Sequence, residues 1–114
     1  MASFTKQFLS GSTNGRPIKV VATATPGTLL HTADATATDE VYLYAVNTSG
    51  GDVTLTVEFG GVTSPDDHVR VVIPKETGLA LVIPGSPLTN SLVVRAFAGS
   101  ANVINILGWV NRIA

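Results

Sequence analysis

The sequence predicts an all-β fold: an antiparallel β-sandwich or barrel, jelly-roll-like, of about eight short strands. Three observations predict it. Runs rich in Val, Ile, Thr and Tyr recur at intervals of roughly ten residues. Gly, Pro, Asn and Asp punctuate them. No segment carries apolar groups at a helical period over the length a helix needs. The chain has 114 residues, enough for one compact domain and too few for two. Residues 16–114 are expected to form that domain, and residues 1–15 an extended N-terminal arm.

Residues Ala2 to Gly15 are rich in Ser, Thr, Gly and Asn, with Phe4, Phe8 and Leu9 as the large apolar groups. Two readings stand side by side: a frayed terminus, or an arm whose apolar side chains dock on a neighbour. Asn14-Gly15 signals a turn. Ile18 to Ala24 is β-branched and ends at Pro26-Gly27; Thr28 to Ala33 follows. Glu40 to Asn47 alternates, with Val41, Leu43 and Ala45 on one face and Tyr42, Tyr44 and Val46 on the other. Asn47 to Asp52 reads as a loop into Val53 to Phe59, so these two runs are expected to pair as a hairpin. Asn47-Thr48-Ser49 matches a glycosylation acceptor and reads here as a turn.

In Val53 to Phe59 the residues Val53, Leu55, Val57 and Phe59 alternate with Thr54, Thr56 and Glu58. Glu58 is expected on the wet face of that strand. Burying the four apolar groups contributes on the order of 6–12 kcal/mol, an upper figure. Gly60 to Asp67 is a loop, His68 to Ile73 a strand, and Leu79 to Ile83 another. Leu92 to Ala98 and Val103 to Ile113 complete the set. Val71 to Pro74 echoes Leu81 to Pro84, too briefly for a repeat, and both prolines are expected to end strands.

Composition narrows the function. Charged residues are 13% and hydrophobic residues 45% of the chain, which is about half the usual charged share. So few charges leave little with which to solvate a surface, and raise the expectation that partners cover part of it. Seven basic and eight acidic residues give a net charge of -1. With no basic run, nucleic acid is not an expected partner. No segment approaches the roughly 20 apolar residues of a membrane helix, and no secretion signal opens the chain. A cytosolic origin and no membrane partner are the expectation. There is no cysteine, so disulfides and thiolate metal sites are excluded.

The polar clusters do not assemble into chemistry. Asp66, Asp67 and His68 sit in Ser-Pro-Asp-Asp, which is turn chemistry, and their spacing matches neither zinc nor EF-hand patterns. His31 with Asp34 and a nearby serine lacks a nucleophile elbow, so His31 reads as a hydrogen-bonded structural histidine. Glu40 and Glu58 form a conceivable carboxylate pair on neighbouring strands, but charge is expected at Glu58 in any case. "GSTNGRP" lacks the spacing of a P-loop. Arg16, Arg70, Arg95 and Arg112 are scattered, with no aromatic interleaving to stack bases. No cofactor, no metal and no enzymatic activity are expected.

The last run departs from simple alternation. Ile104, Ile106 and Val110 make one apolar stripe, and Val103, Leu107, Trp109 and Ile113 make another. Leu79 to Ile83 has the same two-sided character. One stripe belongs to the core. The second is either covered within the chain or forms a subunit interface. Trp109 and Leu107 are its leading candidates, with Tyr42 and Tyr44 next, since aromatics with polar tips suit half-wet contacts.

Three stretches carry a resemblance: "FTKQFLSGSTNGRPIKV", "DEVYLYAVNTSGGDVTLTVEFGG" and "LVIPGSPLTNSLVVRAFAGSANVINILGWVNRI". Together they resemble small virion structural proteins of tailed bacteriophages, of capsid decoration or cement type. The resemblance implies a β-rich homo-oligomer, a trimer, on the outside of the head. It would bind the major capsid protein and strengthen contacts between capsid subunits. It implies a virion location after synthesis in the host cytoplasm, and an N-terminal capsid-binding arm, mapped to Phe4, Phe8 and Leu9. The rival expectation is a tail, neck or head-fibre component that binds a host surface glycan or another tail protein, with recognition carried by loops such as Gly60 to Asp67.

Overall fold

The computed structural model describes residues 2–114, which form nine β-strands and no helix. They are β1 (Phe4–Phe8), β2 (Ile18–Lys19), β3 (Thr28–Thr32), β4 (Thr38–Asn47), β5 (Val53–Phe59), β6 (His68–Ile73), β7 (Ala80–Leu88), β8 (Val93–Ala98) and β9 (Ile104–Ile113). One sheet runs β1-β9-β4-β7, with β2 also on β9; the other runs β3-β8-β5-β6. Every paired strand is antiparallel. If β1 and β2 count as one interrupted strand, the orders are 1-8-3-6 and 2-7-4-5, the arrangement of a jelly roll.

The core is the alternation made physical. β4 turns Val41, Leu43 and Ala45 inward, all fully buried. Ile83, Ile104, Ile106 and Val110 extend that layer on β7 and β9. Val53, Leu55, Val57, Ile73, Val94 and Ala96 face them from the other sheet.

The inward face of β4 ends in a polar group at each end, and both groups are fully buried or nearly so: Asp39 and Asn47. Each ties one sheet to the other. Asp39 Oδ2 accepts from His31 Nε2 of β3 at 2.8 Å. Asn47 Nδ2 donates to Ile73 O of β6 and to Gly51 O, both at 2.8 Å. Asn47 Oδ1 accepts from the Ser49 amide at 2.9 Å and from its hydroxyl at 2.8 Å, closing the turn.

Around Asp39 the network is saturated. Arg112 Nε donates to Oδ1 at 2.8 Å, and the Asp34 amide reaches Oδ2 at 3.2 Å. The Ser10 amide donates to His31 Nδ1 at 3.0 Å, so the ring proton sits on Nε2 and points at Asp39. Burial alone would raise the Asp39 carboxyl; the hydrogen bonds from Arg112 and His31, with the Arg112 charge and the Asp34 amide, outweigh it and hold it below its ordinary value. Asp34 is lowered by the Ala37 and Thr36 amides.

Several expectations change. The hairpin of Glu40–Asn47 with Val53–Phe59 does not form: β4 and β5 lie in different sheets, and β5 pairs with β6 and β8. The turn at Asn47 carries the chain across the core instead of back along the same sheet. The run Ile18 to Ala24 yields only the two-residue β2. Pro74 follows the end of β6, but Pro84 lies within β7. β7 is an edge strand, so a missing N–H is tolerated there.

The detached arm is also corrected. Phe4 to Phe8 form β1, in register with β9 from Phe4 opposite Ile113 to Phe8 opposite Trp109. Leu9 is 2% exposed and belongs to the chain's own core, so it is not a capsid-binding group. A solvent-facing β9 edge with free amides needed a partner strand, and the N-terminal segment supplies it.

Glu58 is corrected as well. It lies on the outward side of β5 yet is fully buried. The segment before β3 folds over it. Thr25 Oγ1 donates to Oε2 at 2.5 Å and the Gly27 amide to Oε1 at 2.6 Å. Gly27 passes so close to β8 that an added Cβ would lie 2.5 Å from the Ala96 carbonyl carbon, so only glycine permits the approach.

Three outcomes test this arrangement. Deleting residues 2–9 lowers the urea midpoint by the equivalent of several kcal/mol, since it strips β1 and Leu9; a loose arm would leave it unchanged. Glu58→Gln keeps the shape but places an amide where Thr25 and Gly27 donate, costing about 1–3 kcal/mol in the same assay. Asp39 binds its proton more weakly folded than unfolded, so its contribution is complete above about pH 4 and is lost as pH falls through the lowered native value. Asp39→Asn therefore lowers stability by about 2–3 kcal/mol at neutral pH and flattens the acid limb of the stability–pH curve.

Candidate interaction surface

The outward side of the β1-β9-β4-β7 sheet is where the aromatic residues collect. Pleating puts Tyr42, Tyr44, Leu107 and Trp109 on that side, because their neighbours Val41, Leu43, Ile106 and Val110 face the core. Cross-strand register sets them side by side. Tyr42 is opposite Trp109, and Tyr44 is opposite Leu107. Trp109 stacks on both tyrosines, with ring centroids 5.1 Å from Tyr42 and 5.8 Å from Tyr44. Stacked aromatic pairs contribute about 0.5–1.5 kcal/mol beyond burial, so the cluster is held in place by its own contacts.

Register extends the patch in both directions. Phe8 lies opposite Trp109 on β1, and Phe4 opposite Ile113. Phe4 is 68% and Phe8 65% exposed. Across the sheet, Leu81 lies opposite Tyr44 and Pro84 opposite Tyr42, and Leu81 is 54% exposed. The result is a continuous apolar band from one edge of the sheet to the other. Tyr42 rests on Gly85, whose φ is +93° and whose hypothetical Cβ would lie 2.7 Å from the ring. The register shift of β7 beside Tyr42 makes that seat.

Charge is sparse here. Lys6 holds its ammonium 5.3 Å from the Trp109 ring centre, a cation–π contact. The Glu40 carboxylate accepts from Asn111 Nδ2 at 2.9 Å. Between Phe8, Lys6, Gly15 and Trp109 the surface dips into a hollow of about 450 Å³.

All four interface candidates from the sequence, Trp109, Leu107, Tyr42 and Tyr44, thus share one face and touch, half-buried rather than hidden. Phe4 and Phe8, expected on a separate arm, join the same face. Leu81 comes from the run Leu79 to Ile83, whose two-sided character the sequence shows, and its register on β4 adds it to the face. Pro84, expected to end a strand, is the member of the face that the sequence did not signal.

The polar candidates separate. Glu40 and Glu58 lie on the outer sides of different sheets and do not pair. His31 is buried against Asp39, and the Ser10 hydroxyl accepts from the Thr32 amide at 2.7 Å instead of facing the ring. Asp67 Oδ2 accepts from the Thr63 amide at 3.0 Å, closing its turn. Among the described residues no group of three or more His, Asp or Glu side chains is placed to hold a metal ion. No family model, curated protein or solved structure matches the chain.

The seat beneath Tyr42 is testable. Gly85→Ala introduces a side chain at positive φ against the ring. It lowers stability by about 1–3 kcal/mol in urea unfolding and weakens the near-UV circular dichroism of the Tyr42–Trp109 stack.

Proposed function

We propose that this chain is a non-enzymatic structural protein whose copies associate through the aromatic side of the β1-β9-β4-β7 sheet, different parts of that side meeting around a three-fold axis. The observation that carries the reading is the unbroken band Phe8–Trp109–Tyr42–Pro84, in register across four strands. Such a band is costly to leave in water and is held in place by its own stacking. A second copy is the fitting occupant. The face offers Lys6 already engaged with Trp109, Glu40 already engaged with Asn111, and Lys19 apart from them opposite Asn105, so its few charges make no dense pattern for a strongly charged partner to match.

The resemblance to phage decoration proteins supplies the specific form of the proposal: a homotrimer on the outside of a capsid, strengthening contacts between major capsid protein subunits. Three identical footprints on one particle then add weak contacts by multivalency. The jelly roll occurs in viral capsid domains and in lectins alike, so the fold agrees with this reading without selecting it. Phe4, on the rim strand opposite Ile113 and beyond that band, is the group offered to the lattice.

Size-exclusion chromatography with light scattering tests the docking face. The natural chain runs as a trimer at micromolar concentration. Trp109→Glu and Leu107→Glu run as folded monomers, while Val72→Glu on the opposite sheet stays trimeric. A monomeric natural chain, or dissociation by Val72→Glu alone, overturns the proposal. Added to undecorated phage heads, the natural chain raises their heat resistance and Phe4→Ser, still trimeric, does not; heads unaffected by the natural chain rule out the capsid role.

A further inference from the structure

The opposite side of the sandwich carries a second feature, independent of the docking face. On the outer side of the β3-β8-β5-β6 sheet lies a hollow of about 280 Å³, lined among others by Thr54, Thr56, Ser64, His68, Arg70 and Phe97. Its position follows from register. Thr56 of β5 is opposite Arg70 of β6 and Phe97 of β8. Ser64 comes from the loop between β5 and β6. Thr23, just ahead of the residues that cover Glu58, also borders the hollow.

Its polar groups are unspent. His68 Nε2 is buried and makes no hydrogen bond among the described residues. Glu58 Oε2 is its near neighbour at 3.6 Å, too long for a hydrogen bond and close enough only for Coulomb attraction. Thr56 is 3% exposed, and its hydroxyl opens on the hollow with no partner among the described residues. Arg70 forms no ion pair among the described residues, unlike Arg112, which is tied to Asp39.

The chemistry selects a ligand class. One guanidinium calls for one negative group, held in bidentate fashion. The Glu58 carboxylate behind His68 disfavours a multiply charged anion such as phosphate. Phe97 and the threonine methyls form an apolar wall, and the hydroxyls of Thr54, Thr56 and Ser64 suit a polyol. We propose that the hollow binds a single acidic sugar residue, a hexose-sized polyol bearing one carboxylate. The carboxylate lies on Arg70, the C–H face of the ring lies against Phe97, and ring hydroxyls bond Thr54, Thr56 and Ser64.

The test is a titration of the isotope-labelled natural chain, followed by amide NMR, with D-glucuronate, D-glucose, acetate and phosphate in parallel. Glucuronate shifts the amides of Thr54, Thr56, His68, Arg70 and Phe97 and binds about tenfold or more tightly than the other three. Arg70→Gln loses about tenfold or more of that affinity, and Thr56→Val, nearly isosteric, loses roughly threefold to tenfold. Trp109→Glu leaves sugar binding unchanged, which separates this site from the docking face. No shift with glucuronate, equal binding of glucose, acetate or phosphate, or an unaffected Arg70→Gln variant each overturns the proposal.

Discussion

The structure depends on β4 being apolar within and polar at both ends of its inward side. Val41, Leu43 and Ala45 fill the middle of the core, while Asp39 and Asn47 bond across to the other sheet. Hydrophobic burial is non-directional and would let two sheets slide over each other. Two buried hydrogen-bonded groups, one at each end of the same strand, oppose such sliding, because any shift orphans a buried partner. Register in the core is thereby fixed, and with it the register of the outer side, since each residue turned inward assigns its neighbour outward.

That coupling explains why the aromatic face is continuous. Tyr42 and Tyr44 are placed by the burial of Val41, Leu43 and Ala45, and Trp109 by the burial of Val110. β1 then adds Phe8 in line with Trp109. The molecule therefore has two outer sides of different character. One is aromatic and nearly without free charge. The other is threonine-rich, with an unpaired guanidinium and an unsatisfied imidazole nitrogen. A chain docked by the first side presents the second to its surroundings.

Much of this was legible in the sequence, for physical reasons. Val53–Phe59 and His68–Ile73 were bounded correctly because turn residues bracket clean runs of strand formers. The inward set of β4 and the outward Tyr42, Tyr44, Leu107 and Trp109 follow from pleating alone. What failed was everything that depends on contacts distant in sequence. The turn at Asn47 looked like a hairpin because loop composition does not say which sheet the chain enters next. Glu58 looked solvated because alternation cannot foresee that Thr25 and Gly27 fold over it. Leu9 looked like an arm residue because polar, glycine-rich flanks hide one core position.

The outer rim strand β7 holds Pro84 and Pro87, with Gly85 at a positive φ between them. Each proline removes a donor from that rim, and the kink at Gly85 bends the ladder away from a straight template. Another chain cannot extend the sheet there by adding its own strand. Growth by rim-to-rim stacking, the route to runaway fibrils, is blocked at that side, while docking on the aromatic side stays open. If copies dock as proposed, they close into small groups without polymerising along that margin.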